Sequence, residues 1–227
     1  NHTGLFDEIA ASGTIRDLGV AGRVSGNGFV GALAAFNRGT LRTVWSEATV
    51  TGVETVGGLV GYNQGGTITG SWATGAVTAT FGEGGGLAGN NYHGTITGSH
   101  GYGTVSGGNT LGGLVGNNYY GTITESGAWG AVTGGRTLGG LVGSSYYGTI
   151  ARSYATGAVT GTGSDIGGLV GEADYSTITD VYADQGYVNA HPTASVVGDS
   201  TVGGLLGFFA DSTLSRAYAA NQTSGTR

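Results

Sequence analysis

The chain has 227 residues, of which 51 are Gly and one is Pro; it has no Cys, its eight basic residues are all Arg, and its net charge is −6. This excludes a disulfide framework and a thiolate metal site, and it argues against a surface that tracks nucleic-acid phosphates. Apolar residues make up 38% and no apolar run approaches the ~18 residues of a membrane helix, so a folded, glycine-rich chain without membrane insertion is expected.

In chain order, Asn1-His2-Thr3 is the first of two N-x-[ST] acceptors, the other being Asn221-Gln222-Thr223. The start at Asn1 rather than Met reads as a processed product or a fragment of a longer chain. Three phrases then recur in fixed order. The first is GGLVG-like, with Leu at positions 5, 33, 59, 87, 114, 141, 169 and 205. The second is GTIT-like, centred on Ile15, Leu41, Ile68, Ile96, Ile123, Ile150, Ile178 and Leu214. The third is GAVTG-like, with Val24, Val50, Val77, Val105, Val132, Val159 and Val188. The second phrase repeats at intervals of 26, 27, 28, 27, 27, 28 and 36 residues, the signature of a repeat protein.

No segment carries the i, i+3, i+4, i+7 pattern of an amphipathic helix. Each phrase alternates β-branched or small residues with polar ones, so that in Gly121-Thr122-Ile123-Thr124 the Ile points inward and the threonines outward. This predicts an all-β chain: a single β-solenoid over 1–227, of about eight coils with three short strands each, joined at corners where Gly supplies positive φ. Gly112-Gly113 is expected to let neighbouring coils approach closely.

The phrases Val56-Gly57-Gly58-Leu59-Val60-Gly61 and Ser153-Tyr154-Ala155-Thr156-Gly157, with the opening Gly4-Leu5-Phe6, resemble the GLUG repeat of large bacterial surface and secreted proteins. That family includes filamentous adhesins and the non-catalytic regions of some immunoglobulin A proteases. The resemblance implies an extracellular or cell-surface place, and it brings no catalytic residue and no cofactor. The position after Thr-Ile, often charged in the family, is Thr in four coils here.

A solenoid turns repeat positions into stripes. Tyr92, Tyr119 and Tyr146 align, flanked by His93, Tyr120, Tyr147 and Tyr175. They form either a platform for sugar rings or a ladder stacked on itself at a corner. Trp45, Trp72, His100, Tyr154, Tyr182 and Tyr218 form a second aromatic column, interrupted where Trp129 is displaced, which is expected to cover a corner of the core. Outward threonines run from Thr14 to Thr213, but Arg16, Arg42 and Ala151 break the second rank of the T-x-T array that an ice-binding face requires. Asn37, Asn63, Asn91 and Asn118, continued by Ser145, form either an inward ladder or a set of turn residues.

No metal-ligand spacing and no catalytic constellation stands out, and a non-catalytic chain is expected. Glu172, Asp174 and Asp211 are the candidate oxygen ligands for Ca²⁺. The long seventh interval places an inserted loop near 188–200, with Asn189, His191 and Pro192 as a candidate local binding site. Both terminal coils lack a capping helix, so the expected partners are further copies or flanking repeats at the ends. A surface glycan or cell receptor is expected along the stripes. The leading reading is a structural and interaction segment of an adhesin-like protein. A self-stacking filament subunit is the alternative, and ice binding or action on a glycan lies behind both.

Overall fold

Short phrases of alternating apolar and polar residues can bury one face only by pairing with neighbours, and every strand here does so in parallel register. The computed structural model describes residues 2–184, 195–198, 201–220 and 222–225. All its regular elements are strands, and they assemble into four parallel sheets running the length of the repeat. The chain is a parallel β-solenoid. One coil reads Thr110–Gly112 in the first sheet, Val115–Tyr119 in the second, Thr122–Thr124 and Gly127–Ala128 in the two arms of the third, and Val132–Gly134 in the fourth.

Each coil thus holds five short strands where the phrases suggested three. The GGLVG phrase is cut in two by a reversal at Gly113-Leu114, and the corner after Thr-Ile-Thr sets off a two-residue strand of its own. The first, second and fourth sheets hold eight strands each. Eight rungs enclose about seven turns of the solenoid, slightly fewer than the eight coils expected.

The second-phrase column is in register from Ile15 through Leu41, Ile68, Ile96, Ile123, Ile150 and Ile178 to Leu214. Ile123 is fully buried, with Thr122 and Thr124 on the outer side. The third-phrase column differs at one place. Val196, and not Val188, pairs with Val159, and Thr223 follows it. Val196 comes 18 residues after Ile178, whereas Val159 follows Ile150 by nine, so the extra length lies before Ser195. Residues 195–198 of the expected loop are a regular strand of the fourth sheet, while Val188, Asn189, His191 and Pro192 lie outside the described residues.

Two apolar clusters fill the interior. The Ile column packs with Leu33, Leu59, Leu87, Leu114, Leu141 and Leu169 between the second and third sheets. The Val column packs with Val56, Leu111 and Leu138 between the first and fourth. Each such side chain contributes about 1.5–3 kcal/mol on burial.

Two polar ladders run inside as well. Asn37, Asn63, Asn91 and Asn118 are fully buried, and the Nδ2 of each of the first three donates to the Oδ1 of the next at 2.7–2.8 Å. Ser71, Ser99, Ser126 and Ser153, also buried, form the second. The Oγ atoms of Ser99, Ser126 and Ser153 each accept from the backbone N–H of the serine one rung earlier at 3.2 Å, and each donates to a backbone carbonyl two residues before it. The corner following Thr-Ile-Thr is closed by these hydroxyls, a role the serines' sequence positions did not disclose.

Candidate functional site

The corner that ends the second sheet needs one residue in the left-handed region, and at Gly65 a glycine fills it with φ +69°. In the next four rungs the position belongs to His93, Tyr120, Tyr147 and Tyr175, with φ between 50° and 52°. A left-handed residue with a Cβ costs about 1–2 kcal/mol, and these four meet that cost together. Their rings stack face to face at 4.9, 5.0 and 4.7 Å, within 6° of parallel. The three stacked pairs return about 0.5–1.5 kcal/mol each, which offsets part of the backbone strain.

The preceding residue forms a second ladder. Tyr92, Tyr119 and Tyr146 are in register and stack at 5.5 and 5.1 Å. The two ladders meet edge to face, as in Tyr119–Tyr120 at 74° and Tyr146–Tyr147 at 86°. All six expected tyrosines therefore come together as an angular ridge. Within each ladder the ring faces cover one another, so the ridge presents ring edges and phenol groups to solvent. Tyr120, Tyr147 and Tyr175 remain 42–44% exposed.

This balance sets an expectation for stability. Tyr120→Gly removes two face-to-face stacks and the edge-to-face contacts with Tyr119 and Tyr146 and relieves one strained backbone position, so a net loss of about 1–3 kcal/mol is expected. Chemical denaturation of the variant beside the parent checks it.

The other stripes resolve as follows. The Trp45, Trp72, His100, Tyr154, Tyr182, Tyr218 column is in register, with Gly127 at the interrupted rung. It does not cover the core. The rings lie on the outer face of the third sheet, half-exposed, while the next residue on each strand, such as Ala73 or Ala155, points inward and is buried. Trp129 stacks on Tyr102 at 4.7 Å and meets Tyr154 edge-on.

The threonine ranks face outward, and Thr97 and Thr124 hydrogen-bond each other at 3.1 Å. Beside them runs a charged column that the sequence reading missed: Glu125, Arg152, Asp180 and Arg216, all at positive φ. Arg152 pairs with Glu125 at 2.9 Å and Arg216 with Asp180, exposed contacts worth about 0–1 kcal/mol each. The signal was there in the residue after the second phrase of the last four rungs, where the sign of the charge alternates, while Thr43, Gly70 and Gly98 hold that position in earlier rungs.

Glu172 and Asp174 stand on one strand, facing the same side of the second sheet, and Asp211 sits at the corner beside Tyr175. Among the described residues no group of three His, Asp or Glu side chains could hold a metal ion. Burial, and then the nearby Asp165 carboxylate, push the Glu172 carboxyl above its ordinary range. A raised acid favours the folded state only where it is protonated, so its penalty is present at neutral pH and fades as pH falls through the raised value. Glu172→Gln should therefore raise the thermal midpoint at pH 7, and the gain should shrink towards pH 4.

Parallel sheets stacked rung on rung, polar ladders inside and an aromatic corner outside define a structural repeat protein. Residues 52–78 and 134–160 match the GLUG motif, each spanning one complete coil, which is consistent with a GLUG-repeat β-solenoid. No curated protein matches the chain.

Proposed function

We propose that this chain is a non-catalytic structural and interaction segment of an extracellular, adhesin-like bacterial protein, and that the tyrosine ridge is its binding surface. The observation that supports this is the choice of residue at the corner. Glycine closes the turn at Gly65 without strain, yet four successive rungs place an aromatic side chain there and hold it exposed. The ridge repeats at the rung spacing of about 4.8 Å, with phenol groups that donate and accept hydrogen bonds. Such a surface suits an extended ligand rich in hydroxyl or amide groups, a surface glycan or the face of a receptor.

The test uses the chain immobilised against a glycan array and against whole cells, beside a Tyr120→Gly, Tyr147→Gly, Tyr175→Gly variant. Saturable binding that falls at least tenfold in the variant supports the reading, because glycine suits that corner. Equal binding by both proteins, or no binding by the parent, overturns it.

A further inference from the structure

The apolar columns are covered inside the solenoid and open at its first and last described rungs. Leu114 and Ile123 are fully buried, whereas Leu5 and Leu214, at the ends of the same two columns, are 59% and 38% exposed. Ile15, Leu18, Leu205 and Leu206 are partly exposed as well. All four sheets end at these two rungs, and all strand pairing is parallel. Each end therefore shows an unpaired edge of every sheet, which accepts a strand of the same direction.

The register shows what one end meets when it is laid on the other. The column that begins at Phe6 ends at Leu206. The column that begins at Ile15 ends at Leu214, and the one that begins at Val20 ends at Ala219. A second copy set one rung spacing beyond the last rung, about 4.8 Å, thus places apolar side chains on apolar side chains and each strand on its own sheet.

Two further columns favour the first rung as the occupant over an ordinary interior one. The buried Asn column carries Phe209 at the last rung, 43% exposed, and Ile9 at the first. An interior rung would set the amide oxygen of its Asn against Phe209, where the donor it has inside the chain is missing. The first rung brings Ile9 and strands no polar group. At the charged corner the signs run Glu125, Arg152, Asp180, Arg216, and the first rung offers Asp17 in the same positive-φ position.

We propose that the last rung of one copy docks on the first rung of a second, continuing all four sheets across the boundary. The two surfaces differ, so the contact is heterologous and extends along the solenoid axis without closing. It lies away from the tyrosine ridge and does not depend on the proposed function.

Sedimentation velocity and electron microscopy of the chain over rising concentration should show species that grow one subunit at a time into thin filaments. Leu214→Glu blocks the last rung and Leu5→Glu the first, each by setting a carboxylate against the partner's apolar column. Both positions are exposed in the single chain, so each variant should keep the parent's unfolding midpoint at low concentration. Each alone should associate at least tenfold more weakly than the parent. Mixed in equal amounts, the two should form a dimer and stop there, because one good end of each remains. Tyr120→Gly should associate as the parent does. The proposal is overturned by a parent that stays monomeric or stops at a dimer, or by either blocked variant assembling as the parent does. It is overturned equally by a mixture that stays monomeric, or by loss of assembly in Tyr120→Gly.

Discussion

Gly112→Ala is expected to destabilise the solenoid by about 3 kcal/mol, the upper end of what overpacking costs, although Gly112 has an ordinary backbone conformation. A Cβ at this position would run into the carbonyl oxygen of Val115 across the reversal, and it would stand 2.7 Å from the Gly143 nitrogen and 2.8 Å from the Leu141 oxygen on the next rung. All three are backbone atoms held in ladders, so none can rotate aside. Gly57, Gly85, Gly139 and Gly167 meet the same obstacle in their own rungs, which makes the reversal a stack of equivalent close approaches. The control is Gly98→Asn. Gly98 has φ +55° and nothing within 4 Å of its missing Cβ, and Asn adopts that conformation readily. Its change should stay within about 0.5 kcal/mol. Urea unfolding of both variants beside the parent separates the two roles of glycine.

That contrast also measures what the sequence could disclose. The phrases gave the strand positions, the inward face and the register of the Ile column, because alternation and a near-constant interval follow from local pattern alone. Glycine was assigned to corners for its positive φ, and there the reasoning fell short. Positive φ at the two recurrent corners is carried mostly by Tyr, His, Asp, Glu, Arg and Thr side chains, several of which stack or ion-pair with the same position one rung away. Close approach, expected at Gly112-Gly113, is the wider role. The strand count was hidden for a related reason: a reversal inside GGLVG depends on contacts between rungs, which no single phrase contains. The third-phrase column went to Val188 over Val196 because an insertion leaves two valines at acceptable spacing, and only pairing with Val159 chooses between them.

The candidate surface was legible in part. Six tyrosines at repeat positions are visible in the sequence as a stripe, and their exposure on one ridge follows from the register. Which way the rings face does not follow, because ring orientation depends on the left-handed corner beneath. Contacts between the first and second sheets were invisible for another reason. Glu83 accepts hydrogen bonds from Asn90 and Asn117, 7 and 34 residues away, and the three meet only because the two sheets fold back on each other.

The buried asparagine ladder carries the other large expected effect. Asn91→Ala should cost about 2–4 kcal/mol, the sum of several buried polar groups left without partners at about 1–3 kcal/mol each before relaxation. Asn91 Oδ1 accepts from Asn63 Nδ2 at 2.7 Å, and its own Nδ2 donates to Asn118 Oδ1 at 2.8 Å and to the Gly94 carbonyl at 3.1 Å. Truncation therefore strands a donor on one rung and acceptors on two. No water reaches them without opening the corner, since Asn63, Asn91 and Asn118 are fully buried. Asn91→Ser should recover part of the loss, because the same column passes to a serine at Ser145, whose Oγ lies 3.0 Å from Ser176 Oγ. The effect should be insensitive to salt, which distinguishes it from loss of the exposed Glu125–Arg152 pair. Denaturation in low and high salt reads both features at once. A cost below about 1 kcal/mol for Asn91→Ala would mean that the rungs relax to re-pair the freed groups. The coil, rather than the ladder, would then be the unit that holds the register.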